Sequence, residues 1–168
     1  MGTQDTQQVT VGIPLSGKIY SHDYEIVDLK HLRVDRLVSF IKDFELATLD
    51  LAELEDLGYS GFVDAITMLF TDSLGAHIYG VYVDGQPFAV FGEAAGSYVL
   101  LTSVHVKRLP KVFIRLFRKL KDQLKEADHV IIPEYHEQGQ KMARLAGLEV
   151  VGTITEEVGL KWINYRRL

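Results

Sequence analysis

The sequence predicts an α+β fold, a central mixed but mostly antiparallel sheet with helices on both faces, and three observations carry that expectation. His77–Asp84 (HIYGVYVD) and Gln86–Glu93 (QPFAVFGE) meet at Asp84-Gly85, a strong hairpin signal because glycine tolerates the positive φ that such turns require. Tyr98–Val106 (YVLLTSVHV) and His129–Pro133 (HVIIP) are apolar runs on either side of an amphipathic segment that Pro110 opens and that continues to about Glu126. Strand, helix, strand in that order implies a crossover within one sheet. Apolar residues at helical spacing between Val34 and Phe70 supply further helices ahead of the hairpin.

From the start of the chain, Met1–Thr10 is polar and lacks the basic region and apolar core of a signal peptide. Val11–Gly17 (VGIPLSG) reads as an irregular arm, so residues 1–20 are set apart from a single domain over 21–168. Tyr24–Leu29 (YEIVDL) alternates as a first strand at a sheet edge. Val34–Phe44 places Leu37, Val38, Ile41 and Phe44 on one helical face, and Leu46–Leu57 places Leu49, Ala52 and Leu54 among four acids. Ser60 to about Phe70 reads as a third helix with Ser60 as its cap. Gly96 then supplies the turn into Tyr98–Val106, extending the hairpin to a three-stranded meander. In the Pro110 helix, Val112, Phe113, Leu116, Phe117, Leu120 and Leu124 cover one side, while Lys111, Arg115, Arg118, Lys119 and Asp122 cluster on the other. His136–Ala146 is a short helix ended at Gly147, and Glu149–Thr155 with Gly159–Tyr165 closes the chain as a strand pair.

With 168 residues, 47% hydrophobic and 24% charged, the chain is long enough for one real core. It has no cysteine, which excludes disulfides, thiol nucleophiles and cysteine metal sites. The six histidines show no close ligand spacing, so no metal site is expected, and no apolar run is long enough for a membrane span. Charge is divided along the chain. Asp23 to Asp72 holds twelve acids against four Lys or Arg, whereas Lys107 to Lys125 holds eight Lys or Arg against one acid, in a chain of net charge −5. The basic helix therefore offers a surface for phosphates, including those of a nucleic acid.

The late segment His136–Leu148 (HEQGQKMARLAGL), followed by EVVGTI, resembles the Gcn5-related N-acetyltransferase (GNAT) superfamily, with Gly147-Leu148 at the place of its Gly-Phe. The order of elements from Tyr24 to Tyr165 is similar to that fold as well. QPFAVFGEAAGSYVLLTSVHVKRLPKVFIRLFRKLKDQL, with Phe117-Arg118-Lys119-Leu120 at its centre, resembles more closely the GNAT-like internal virion proteins of short-tailed bacteriophages. The resemblance implies a virion-associated or assembly protein with a degenerate acyl-coenzyme A site, its partners other phage proteins or packaged nucleic acid, located in a virion or the host cytoplasm. The alternative it implies is an acetyl-coenzyme A-dependent N-acetyltransferase acting on an amine.

Site residues follow from the resemblance. The diphosphate turn corresponds to Lys107-Arg108-Leu109-Pro110-Lys111, which has no glycine and a proline that removes one N–H donor. Lys107, Arg108 and Lys111 beside a helix N-terminus would still attract a diphosphate. Backbone groups of Ser103 and Val104 would surround the acyl carbonyl, and Glu93 or His105 would assist proton transfer. Ala143 stands where the family usually has its acidic Tyr, His136 where it often has Asn, and Gly139 at a small position. Tyr135 is the nearest substitute proton donor.

Overall fold

The computed structural model describes residues 15–71, 77–121, 124 and 127–167. Within these residues eight strands form one sheet: β1 (Ser16–Ile19), β2 (His22–Asp28), β3 (His77–Val83), β4 (Gln86–Ala94), β5 (Ser97–Thr102), β6 (His129–Pro133), β7 (Leu148–Thr155) and β8 (Lys161–Arg167). Their order is β1-β2-β3-β4-β5-β6-β8-β7, antiparallel throughout except for β5 and β6. Among the described residues five α-helices accompany them: α1 (Val34–Asp43), α2 (Thr48–Asp56), α3 (Phe62–Thr71), α4 (Pro110–Lys121) and α5 (Glu137–Leu145). The Asp84-Gly85 and Ala95-Gly96 pairs all have positive φ, so both links of the meander are two-residue turns whose twist matches the strands they join.

Each face of the sheet carries its own core. On one, Phe88 and Phe91 of β4 pack against Phe113 and Phe117 of α4, joined by Ala143 of α5 and Tyr165 of β8. On the other, Val27, Ile78 and Val90 meet Phe40 and Phe44 of α1, Leu54 of α2, and Phe62 and Ile66 of α3. All six apolar residues expected on the α4 face are buried, and Lys111, Arg115, Arg118 and Lys119 face outward.

Four local expectations need correction. Ser16–Ile19, placed in the arm, pairs with His22–Glu25 as β1, so β2 is an interior strand. The Tyr98 strand ends at Thr102 instead of Val106, because Val106–Arg108 turns into a short 3₁₀ helix. In α1 it is Phe40, not Val38, that is buried, and in α2 the buried pair is Asp50 and Leu54 while Leu49 is exposed. At α3 the Ser60 N–H donates to the Asp64 carboxylate at 2.9 Å, so Asp64 reaches back to the helix start.

Candidate active site

The parallel strands β5 and β6 touch at only one register pair, Ser97↔His129, and then part. The near end is pinned by three contacts: that pair, Asp128 N–H to the Gly96 carbonyl at 3.0 Å, and Ala127 N–H to Glu93 Oε2 at 3.0 Å. Beyond it, the loop before α2 takes the place of β6 beside β5. Val104 N–H donates to the Glu45 carbonyl at 2.8 Å, Ala47 N–H donates to the Thr102 carbonyl at 2.9 Å, and Leu46 bridges Ser103. The splay is thus stabilised by hydrogen bonds that a continuous β5–β6 ladder would otherwise supply.

A cavity of about 590 Å³ fills the opening. Its walls come from both cores: Phe113, Phe117, Met142 and Ala143 from the side of α4 and α5, Leu54, Tyr59, Ala65 and Leu69 from the side of α2 and α3. It therefore passes between β5 and β6 from one side of the sheet to the other. Leu100 presents backbone to it. Thr102 N–H points to Asp50 and not to β4, and Leu100 lies two residues earlier in the same register, so its N–H and C=O also point away from β4 into the gap.

At the α2 end, Asp50, Glu53 and His136 meet from segments 86 residues apart in sequence. Asp50 is buried and fully engaged: Oδ2 accepts from the Thr102 N–H at 2.5 Å and the Thr102 hydroxyl at 2.6 Å, and Oδ1 is 2.5 Å from His136 Nε2. His136 caps α5, its Nδ1 accepting from Gly139 N–H at 3.0 Å. Nδ1 therefore keeps its lone pair and the ring proton sits on Nε2, donated to Asp50. Burial lowers the imidazole pKa, but the hydrogen bond and charge of Asp50, with the charge of Glu53, outweigh it and hold the pKa above its ordinary value. The Gly139 bond opposes a second ring proton, because a doubly protonated imidazole offers no acceptor. Gln140 seats this corner through Nε2 on the Glu134 carbonyl at 2.6 Å while its Oε1 accepts from the Tyr165 hydroxyl at 3.2 Å.

Glu53 has a different standing. Its Oε2 is 3.8 Å from His136 Nε2, too long for a hydrogen bond, and burial together with the charges of Asp50 and Asp56 pushes its pKa up to about 7, with His136 opposing. It lines the cavity as a carboxyl that gains and loses its proton near neutrality. The three side chains hold one ligand atom each within 4.8 Å of one another, a trio that histidine spacing did not reveal. A cation at Nε2 requires the ring proton on Nδ1, where Gly139 already donates, so the wiring is that of a proton relay more than of a metal site.

Of the residues singled out from sequence, Ser103, Val104 and Lys107 line the cavity, and Arg108, Lys111, Glu93, His105 and Tyr135 do not. The N–H groups of Ser103 and Val104 already donate to Phe88 and Glu45 carbonyls, which leaves Leu100 as the backbone donor facing the gap. Glu93 is buried and spent on Ala127 N–H, with His77 Nε2 at 4.0 Å from its other oxygen. His105 lies in the turn after β5, not in a strand. The Tyr135 hydroxyl donates to Asp56 at 2.5 Å, and burial with that acidic partner pushes its pKa well up, away from proton donation at neutral pH. Sequence reasoning missed Asp50 and Glu53, although an aspartate four residues before the buried Leu54, on the same helical face, is a readable signal.

The aminoglycoside acetyltransferase AAC(6')-Ib in complex with coenzyme A superposes with a TM-score of 0.52 at 13% identity, over 88% of this chain and 95% of that one. The ribosomal alpha-N-protein acetyltransferase RimL with coenzyme A gives 0.52 at 11%, over 93% and 97%. The microcin self immunity acetyltransferase MccE with acetyl-coenzyme A and AMP gives 0.56 at 11%, over 86% and 92%. The fold is the GNAT fold. No protein-family model matches the sequence, and no curated protein matches it. None of these three GNAT structures is a virion protein, so the phage resemblance finds no support among them. No helix among the described residues is long and apolar enough to cross a membrane.

Proposed function

We propose that the chain is an acyl-coenzyme A-dependent N-acyltransferase with a weakened diphosphate turn and Glu53 as its general base. One observation carries this reading: the gap between β5 and β6 is open, and the cavity through it joins a cationic turn to a carboxyl that titrates near neutrality. Side chains filling that gap would have argued for a scaffold alone. Coenzyme A or acetyl-coenzyme A in the three compared structures adds support.

The residues present fit the coenzyme in part. Lys107 is exposed at the cavity rim, and among the described residues the N–H groups of Lys107, Lys111 and Val112 have no internal acceptor, while those of Val106, Arg108 and Leu109 are used within the turn. These three N–H groups, at the positive end of α4 and with the Lys107 charge, would hold the diphosphate. Leu100 N–H and C=O would meet the amide groups of the pantetheine arm. When bound, the coenzyme supplies an acyl group activated as a thioester. An acceptor bound as an ammonium would first lose one proton to solvent to become nucleophilic, and Glu53, ionised, would take the second as the nitrogen bonds to the acyl carbon. The carbon–sulfur bond would break as the amide forms, and the proton taken up by Glu53 would return through solvent to the departing sulfur, which leaves the carboxylate ionised for the next turnover. Ala143 has no proton to offer, and a thiol with an ordinary pKa of about 8.5 leaves without a dedicated acid. The charges of Asp50 and His136 act on Glu53 in opposite senses, and His136, held by Asp50, caps the start of α5.

Calorimetric titration with acetyl-coenzyme A at low and moderate salt, with Lys107→Ala beside the wild type, tests the reading. Saturable micromolar binding that weakens in the variant, followed by thiol release in the presence of an amine, is the expected result. Absence of binding, or attraction erased by moderate salt, would overturn it and favour a non-enzymatic assembly role for the fold.

A further inference from the structure

The cavity has two unlike ends. Among the described residues Lys107, just before α4, is the one Lys or Arg in its lining. On the side of α2 the lining carries two carboxylates, Asp50 and Glu53, with Leu49 and Leu57 one helical turn before and after Glu53 and with Tyr59 and Leu69 also in the wall. Both Asp50 oxygens already accept hydrogen bonds, from Thr102 and His136, whereas among the described residues the Glu53 carboxyl makes none, so Glu53 is the carboxylate there with uncommitted oxygens. Glu55 and Asp56 follow on α2 but do not line the cavity, and Asp56 is held by Tyr135.

From this we infer that the acceptor is a monoamine with a hydrocarbon body, its single cationic nitrogen at Glu53 and its chain against Leu49, Leu57, Tyr59 and Leu69. The inference rests on the acyltransferase reading for the fate of the amine, and on the cavity alone for its recognition. One open carboxylate matches one ammonium. A polyamine or an aminoglycoside would carry further charges onto an apolar wall, where each would lose its water without gaining a partner. A hydrocarbon chain gains affinity on that wall in proportion to the area it removes from water.

The test is a ladder of primary amines from propylamine to hexylamine, with phenethylamine, spermidine and kanamycin alongside. Binding is read by calorimetry with and without coenzyme A, and turnover is read separately with acetyl-coenzyme A. Each methylene should tighten binding by about two- to fourfold, with spermidine and kanamycin at least about tenfold weaker than hexylamine. Leu57→Lys, at a side chain already 54% exposed and so compatible with folding, should flatten the ladder while leaving acetyl-coenzyme A affinity unchanged. A flat ladder in the wild type, or tighter binding of the polycations, overturns the inference. If acetyl-coenzyme A binds and the amines do not discriminate, only this inference fails. If the ladder holds and acetyl-coenzyme A does not bind, the amine site stands and the transfer reading falls.

Discussion

Replacing Glu53 by Gln should stabilise the protein as pH rises, and the size of the gain follows from the site. Holding this carboxyl at a pKa of about 7 against an ordinary 4.5 makes ionising it in the native protein roughly 3 kcal/mol costlier than in the unfolded chain, at about 1.4 kcal/mol per tenfold in proton affinity. As pH rises through 4.5 the unfolded chain loses this proton first. Between about 4.5 and 7 the native state therefore binds more protons than the unfolded state, and stability falls with pH. Above 7 both states are ionised and the penalty is constant. Glu53→Gln lacks the penalty, so variant and wild type should be similar near pH 4.5 and diverge to about 3 kcal/mol in favour of the variant by pH 8. Near pH 4.5 Glu53 carries its proton and exerts no charge on His136, which keeps the low-pH comparison clean. Urea denaturation of both proteins in half-unit steps from pH 4.5 to 8.5 measures the difference. Parallel stability profiles would refute the reasoning, since they would mean that Glu53 is ionised as easily in the fold as out of it. The same variant should lose about 10²- to 10⁴-fold in turnover together with the rise in rate near pH 7, a more stable and less active protein.

Asp50→Asn should cost about 1–3 kcal/mol, because one amide cannot accept from Thr102 and His136 together and leaves a buried donor unmatched. It should also bring the His136 pKa down, which a histidine NMR titration reads. Gly92→Ala would set a methyl 2.5 Å from the His77 carbonyl oxygen, a backbone atom that cannot step aside, and should destabilise by about 1–3 kcal/mol in denaturant. Ala143→Phe would put a ring into the cavity wall, and acetyl-coenzyme A binding should fall about tenfold or more, the effect of losing about 1.4 kcal/mol of contact.

Most of the fold was legible because it is written locally. The Asp84-Gly85 turn fixes its hairpin through φ alone, and the α4 periodicity fixes which face is buried whatever lies beneath it. Where the reading slipped, a distant partner had decided the matter. Ser16–Ile19 is too short and polar to announce itself, and it becomes a strand because β2 offers an edge. Thr102 ends β5 because the loop before α2 and the Asp50 carboxylate take over its backbone.

The sequence by itself determined the hairpin, the two-faced basic helix, the capped final helix and the glycine-free turn before α4, each a matter of φ preference or helical period within a few residues. Only the tertiary structure decided that β5 and β6 part after one pair, that the gap stays open, and that Asp50 and Glu53 face His136 across it. The physical reason is that a pKa near 7 and an unspent backbone donor are properties of burial and of who else has bonded. Neither exists in the chain until residues 86 positions apart share one dry corner.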